Sequence, residues 1–402
     1  MINLEPPVKL DALTYQANMA ATHVLRPISR KYDGAEHVYP VELDTLAELV
    51  AQASAAQAGL HDDDAPEPQG PGEDSNVNGR SLASLIGLIE MCWGDVGLML
   101  TMPRQGLGQA AIRAVATPEQ LARFGGKWAA MAITEPGAGS DSAAIRTTAV
   151  LDGDAYVLNG EKIFVTSGDR AELIVVWATL DRSAGRGAIK SFVVERDNPG
   201  LKLDRLEHKL GIRASDTANF VLENCRVPKE NLLGSPEITS AREGFAGVMQ
   251  TFDNTRPMIA GMAVGVARAA LERTRELLEQ AEVSVDYDRP LIAQSAAAAE
   301  FVRLEADWEA SRLLALKAAW MADNRMPNTV AASIAKAKAG RVATDVTLRC
   351  VALCGTVGYG EEELLEKWAR DAKILDIFEG TQQIQLLVIA RQLLGRQSSE
   401  LR

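Results

Sequence analysis

Three stretches of the chain carry residue types that could do chemistry. In "DIFEGTQQIQ", residues 376–385, one acid, Glu379, stands beside a glycine between two segments that read as apolar helix. An acid so placed is either favoured there by the positive end of a helix dipole, or it is a base kept dry by its neighbours Ile374, Leu375, Ile377 and Phe378. In "MAITEPGAGSD", residues 131–141, two glycines and a proline among small hydroxyl residues make a tight turn whose backbone N–H groups could cradle an anion. The turn lacks the G-x-G-x-x-G spacing that opens a nicotinamide-binding helix. The third stretch holds Cys350 and Cys354, four apart on a helical pattern and able to share a face. No histidine stands near them, so they read as buried thiols rather than a metal site. The four histidines, His23, His37, His61 and His208, form no ligand or triad spacing, which disfavours zinc chemistry and serine hydrolysis.

The elements that position such groups must come from 402 residues, 47% of them hydrophobic, enough for two or three domains around a substantial core. A net charge of -12 and the absence of a Lys/Arg run argue against nucleic acid as a partner. No apolar run reads as long enough to span a bilayer, and "MINLEPPVKLDAL" lacks the order of a secretory signal. The expected location is the cytoplasm of a bacterium or an organelle matrix, and four scattered cysteines suit a reducing compartment.

From Leu10 to Ala58 the apolar spacing is helical, and "HDDDAPEPQGPGEDSNVNGR", residues 61–80, reads as an exposed acidic loop. Helical pattern resumes to Phe124. Near Trp128 the period changes to short β-branched runs, with Asn159-Gly160 offering a two-residue hairpin turn. From Ala241 onward long alanine-rich segments predict a helical bundle. The expected domains are 1–127, helical; 128–238, β; and 239–402, a helical bundle, an α+β arrangement.

The turn 131–141, "KIFVTSG", "KLGIRASDTANFVLENCRVPKENLLG" and "RDAKILDIFEGTQQIQLLVIARQLLG", four motifs in order, closely resemble the acyl-CoA dehydrogenase family over residues 80–397. The resemblance implies an N-terminal all-helical domain, a central β-barrel domain and a C-terminal four-helix bundle, with FAD between the last two. It implies FAD-dependent α,β-dehydrogenation of an acyl-CoA thioester to a trans-2-enoyl-CoA. Glu379 would take the C2 proton and flavin N5 would accept hydride from C3. The other base position known in the family is Asn254 here, which cannot accept a proton, so the resemblance selects Glu379.

On the same resemblance, Met131, Ile133, Thr134, Gly139 and Ser140 line the flavin, with Thr134 near its pyrimidine edge and Ser140 near the pyrophosphate or the substrate's CoA moiety. Phe164, Val165 and Thr166 replace the family's Trp-Ile-Thr, the threonine hydroxyl reaching flavin N5. Thr381 and Gln383 touch the cofactor, and Gly380 leaves room for the thioester. Asp253 and Arg256 face the substrate, or equally pair within the helices. Electrons would pass to electron-transferring flavoprotein.

One set of positions departs from the family. The arginine and the Gln-x-x-Gly-Gly turn that grip a neighbour's FAD are here Ser284, followed by Asp288 in place of a glycine, and Ala352 to Thr356. A serine cannot replace a guanidinium at a pyrophosphate, and an aspartate repels it. A heterotetramer with a related chain and a homotetramer in which Arg289 substitutes both fit this pattern. Two other functions are carried beside the dehydrogenase: a flavin oxidase or oxygenase of the same fold, and a non-catalytic subunit of a heteromeric dehydrogenase.

Overall fold

The computed structural model describes residues 8–58, 79–104, 107–238 and 246–396 with Glu400, and for 51–58 and 246–254 the backbone course only. The acidic stretch up to residue 78 and the side chains of Asp253 and Asn254 lie outside the described residues.

The N-terminal helices are α1 (Asp11–Ala20), α2 (Arg26–Gly34, joined to α1 by one π turn), α3 (Glu42–Ala58), α4 (Arg80–Met99), α5 (Leu107–Val115) and α6 (Pro118–Phe124). A capping box starts α6: Thr117 and Gln120 satisfy each other's backbone N–H groups ahead of Pro118. Helix α4 begins with the N–H groups of Gly79, Ser81 and Leu82 on the Asp323 carboxylate at 2.9, 2.8 and 3.0 Å. An anion there meets the helix dipole's positive end and ties α4 to the bundle. Contrary to the sequence expectation, α4 is long and apolar enough by length and composition to cross a membrane, but 67% of its apolar window is buried. Its apolar residues pack in the shared core with the bundle, among them Leu85, Ile86, Ile89 and Val96.

The middle of the chain is a curled seven-stranded sheet, in the order β1-β4-β2-β3-β7-β6, with β5 paired to β4 outside that order. The strands are β1 (Ala129–Ala132), β2 (Thr148–Asp152), β3 (Ala155–Thr166), β4 (Leu173–Thr179), β5 (Ile189–Glu195), β6 (Leu201–Leu206) and β7 (Thr217–Pro228). Only the pairings of β4 with β1 and β2 are parallel among the described strands. One apolar cluster fills the sheet's inside and a second lies between the sheet and α5 and α6.

The predicted hairpin turn at Asn159-Gly160 is not a turn. Both residues lie inside β3, and the β2–β3 turn falls at Gly153, where φ is +66°. Gly160 is instead a point of close approach: a Cβ there would meet Thr147 Oγ1 at 2.4 Å. Asn159 uses its side-chain oxygen to accept the Asn224 N–H at 2.8 Å.

The remaining helices form the bundle: α7 (Ala246–Gln280), α8 (Ala296–Asp323), α9 (Thr329–Tyr359), α10 (Leu365–Ala372) and α11 (Gln382–Leu394). Small residues on α9, such as Ala335, Ala339 and Ala343, let it pack closely in the centre. Cys350 is buried there and Cys354 partly so. The histidines, though, do not stay apart: His37 follows α2, His208 follows β6, and the fold sets their rings 4.9 Å from each other.

Candidate functional site

Glu379 occupies the turn between the short helical stretch Lys373–Asp376 and α11. Two successive left-handed residues make that turn, Glu379 at φ 54° and Gly380 at φ 87°. For a glutamate this conformation is strained, and such strain persists only where the surroundings over-determine it. Here they do. Gln385, fully buried on α11, donates from Nε2 to the carbonyls of Glu379 and Gly380 at 3.1 and 3.3 Å. Lys336 Nζ of α9, 1% exposed, donates to the Gly380 carbonyl at 2.6 Å. A Cβ on residue 380 would meet Gln385 Nε2 at 2.4 Å, so the glycine is dictated by backbone conformation and by Gln385.

Glu379 does not cap the helix that follows it. Thr381 is the N-cap of α11, its hydroxyl accepting the Ile384 N–H at 3.3 Å. The Glu379 carboxylate instead accepts the Thr255 hydroxyl of α7 at 2.8 Å. Surrounding protein desolvates this carboxylate and raises its pKa above the ordinary carboxylate value, against the opposing pull of Thr255, Lys336 and Arg256. Lys336 is pushed the other way by burial, down to about 8, with Asp376 and Glu379 resisting. The backbone N–H of Glu379 has no acceptor among the described residues, so a hydrogen-bond donor stands beside the carboxylate.

A second group of candidate residues lies on the β domain. The turn 135–138 closes by mutual backbone bonds between Glu135 and Ala138 at 3.2 and 3.0 Å. Its anchor is Glu135, whose buried carboxylate accepts the amides of Arg146 and Thr147 and the ammonium of Lys162 at 2.6, 3.0 and 2.7 Å. Gly137 and Gly139 face open space, with no atom within 4 Å of where a Cβ would be. Thr134 is bound to β3 through its carbonyl, which accepts the Ile163 N–H at 2.9 Å. A bulge between Lys162 and Val165 then breaks the inward alternation of β3. Phe164, at φ 59° with its N–H on Asn219 Oδ1 at 3.1 Å, is thereby turned outward and left 58% exposed. An outward aromatic ring beside a hydroxyl residue and an open turn of backbone amides fit a planar ring system carrying a pyrophosphate, as FAD does.

The structure thus brings the expected residues into two groups. Glu379, Gly380 and Arg256 lie together on the bundle, and Arg256 is buried beside Glu379 and Lys336. Met131 lies on β1 with Thr134, Gly139 and Ser140 in the segment that follows it, and Phe164 and Thr166 lie on β3, which the Thr134 carbonyl joins at the Ile163 N–H; Gly139 and Ser140 are exposed. Ile133 and Val165 send their side chains into the apolar clusters, leaving their backbones as the groups that could meet a ligand. Thr381 spends its hydroxyl on its own helix, and Gln383 is exposed. Sequence reasoning missed Thr255, Lys336, Gln385 and the Glu135–Lys162 pair. Only Lys162 left a readable signal, a charge at an inward position of β3 in step with Tyr156 and Leu158.

Residues 130–225 match the description "Acyl-CoA dehydrogenase, middle domain" and residues 242–394 match "Acyl-CoA dehydrogenase, C-terminal domain". The "Acyl-CoA dehydrogenase, short-chain specific" of Clostridium acetobutylicum is 36% identical over 326 residues, 79% of this chain and 84% of that one. The "Short-chain specific acyl-CoA dehydrogenase, mitochondrial" of Rattus norvegicus is 41% identical over 270 residues; the match takes in 67% of this chain and 64% of that protein's length. Butyryl-CoA dehydrogenase of Megasphaera elsdenii superimposes with a TM-score of 0.83 at 30% identity, covering 98% of this chain and 100% of that one. The chain belongs to the acyl-CoA dehydrogenase family, whose members are FAD-dependent flavoproteins.

Proposed function

We propose that this chain dehydrogenates acyl-CoA thioesters between C2 and C3, with Glu379 as the base, and that short acyl chains are its first candidates. The observation that carries the reading is the Glu379 turn, where one residue contributes a desolvated carboxylate and a backbone N–H with no acceptor among the described residues. A proton beside a thioester carbonyl is too weakly acidic for a free carboxylate, so the carbonyl must be polarised as enolate character develops. The Glu379 N–H supplies one donor, while burial brings the base toward the working pH. Thr255 keeps the carboxylate from swinging away, and Lys336 and Gln385 hold the two carbonyls that fix the turn. FAD, when bound, supplies the acceptor for the hydride leaving C3. Thr134, Gly139, Ser140, Phe164 and Thr166 would hold it on the sheet side. The short-chain preference rests on the names of the relatives matched. Electron-transferring flavoprotein is the acceptor that fits a two-electron carrier of this family.

Lys336 acts through the turn, so its removal tests positioning. Lys336→Met loses a charge-assisted bond worth about 1.5–3 kcal/mol and should lower kcat about tenfold or more. Lys336 also favours ionised Glu379. Without it the base's pKa rises further, so the acidic limb of kcat/KM against pH should move to higher pH, and Lys336→Arg should move it back. An unmoved limb in Lys336→Met removes Lys336 from this role.

For the assembly we propose a heterotetramer with a related chain. Ser284 lines a recess of about 300 Å³ together with Glu282, Asp286 and Arg289. Two acids and one arginine make a poor seat for a neighbour's pyrophosphate. Purified alone, the chain should carry substoichiometric, loosely held FAD. With its partner chain it should hold FAD tightly and lose flavin absorbance anaerobically on adding butyryl-CoA. Stoichiometric FAD in the chain alone sinks the heteromer, whereas tightly held flavin that no acyl-CoA bleaches sinks the dehydrogenase reading.

A further inference from the structure

A second cluster of reactive side chains lies away from the Glu379 turn, where the end of α2 meets the segment following β6. One ligand atom each of Glu36, His37 and His208 lies within 4.8 Å of the other two. His208 Nδ1 is 2.8 Å from Glu36 Oε2. The other oxygen, Glu36 Oε1, accepts the Lys209 N–H at 2.9 Å. That bond fixes the carboxylate and leaves Oε2 for the imidazole side. His37 carries the more telling signs. Both of its ring nitrogens are buried with no hydrogen-bond partner among the described residues. Its backbone is left-handed, φ 70°. A buried imidazole nitrogen without a partner loses its water without compensation, and a strained backbone that aims it adds to the cost.

We propose that Glu36, His37 and His208 bind a divalent d-block cation of the zinc type, with a water in the fourth position. Two imidazoles and one carboxylate are the donor set such ions favour over magnesium or calcium. The distances allow it. The point equidistant from three atoms 4.8 Å apart lies about 2.8 Å from each, so bonds of about 2.0–2.1 Å need each ligand to move by less than about 1 Å. His208 has room to move, its side chain being 82% exposed. The neighbouring ammonium, Lys209 Nζ, is drawn to the carbonyls of Ser215 and Glu207 at 2.8 and 3.5 Å. Asp216, a charge that acts on His37, is engaged by Arg170. The cation would fasten the helical N-terminal domain to the segment 207–216. That segment also reaches the bundle, through the Ile212 N–H on Asp371 at 2.5 Å.

The test uses untagged protein with its flavin and zinc chloride as the probe, read by calorimetric titration and thermal unfolding. One zinc should bind per chain and raise the unfolding temperature, since binding to the native state alone stabilises it. His208→Ala, at an exposed side chain, should weaken binding at least about 100-fold and abolish the thermal shift. His37→Asn, which tolerates the left-handed backbone, should do the same. Copper(II) bound to the native protein should show nitrogen hyperfine splitting in its paramagnetic resonance spectrum, and His208→Ala should lose part of it. Absence of saturable zinc binding, or undiminished affinity in His208→Ala, overturns the proposal. Neither readout depends on dehydrogenase activity.

Discussion

Glu379→Gln is expected to suppress dehydrogenation, lowering kcat by about 10²–10⁴-fold, while the protein still folds and holds flavin. The size follows from the step removed. General-base catalysis by a positioned side chain is worth about 10²–10⁴-fold, and here no second carboxylate occupies the family's alternative position, which is Asn254. The groups on the sheet proposed to hold flavin are untouched by the change. Stability separates loss of a reagent from loss of structure. The folded-state pKa of Glu379 is raised by desolvation. Its protonated form is therefore the one the fold favours, a contribution complete below the unfolded pKa and lost as pH rises through the folded one. Glutamine resembles that protonated form at every pH, and its carbonyl can still accept the Thr255 hydroxyl. The variant should consequently be as stable as the parent at acidic pH and no less stable at neutral pH. The measurement is anaerobic stopped-flow reduction by butyryl-CoA beside urea unfolding at two pH values. Unchanged reduction rates would remove Glu379 from the mechanism.

The architecture was largely legible because it rests on periodicity. The alanine-rich segments of the bundle and the β-branched runs after Trp128 announced their elements, and the motif around Glu379 pointed to the residue proposed above as the base. What was not legible were contacts that join distant segments. Lys336 looked like one polar residue in an alanine-rich helix, and nothing in "SIAKAKAG" shows that its ammonium ends on the Gly380 carbonyl. The glycine at 380 was visible but its reason was not. A left-handed turn under Gln385 asks for a glycine, as would the room for a thioester that the family resemblance implies. Asn159-Gly160 misled for a physical reason as well, since a glycine needed for close approach to Thr147 looks the same in sequence as one needed for a turn. His37 and His208 meet only through the docking of the segment after β6 on the end of α2, which no local spacing records.

Lys367→Met is expected to cost about 3–5 kcal/mol of stability, the usual consequence of removing one partner from a buried charge cluster. Lys367 is 1% exposed and lies between Asp95 and Asp371, 1% and 0% exposed, at 2.6 and 2.5 Å. Asp95 breaks the helical backbone of α4 and caps the Leu98 N–H at 2.8 Å, while Asp371 on α10 receives the Ile212 N–H. The lysine therefore joins the N-terminal domain, the segment 207–216 and the helix that leads to the Glu379 turn. Without it two carboxylates remain buried near each other with one positive charge gone. The pKa of Asp371 is already raised by burial, with Lys367 the first of the groups that oppose that rise and the Ile212 N–H another. In the variant it rises further, so the protonated state is favoured by folding and that contribution is lost as pH increases through the folded pKa. The deficit should be largest near pH 7 and shrink toward the acid range, a sign that a plain packing defect would not give. Adding Asp371→Asn should recover part of the loss at neutral pH, since it removes one of the unpaired charges while keeping an acceptor for Ile212. Urea unfolding of the three proteins at pH 5 and pH 7 decides it. A pH-independent deficit, or no deficit, would mean that the triad does not hold these three regions together.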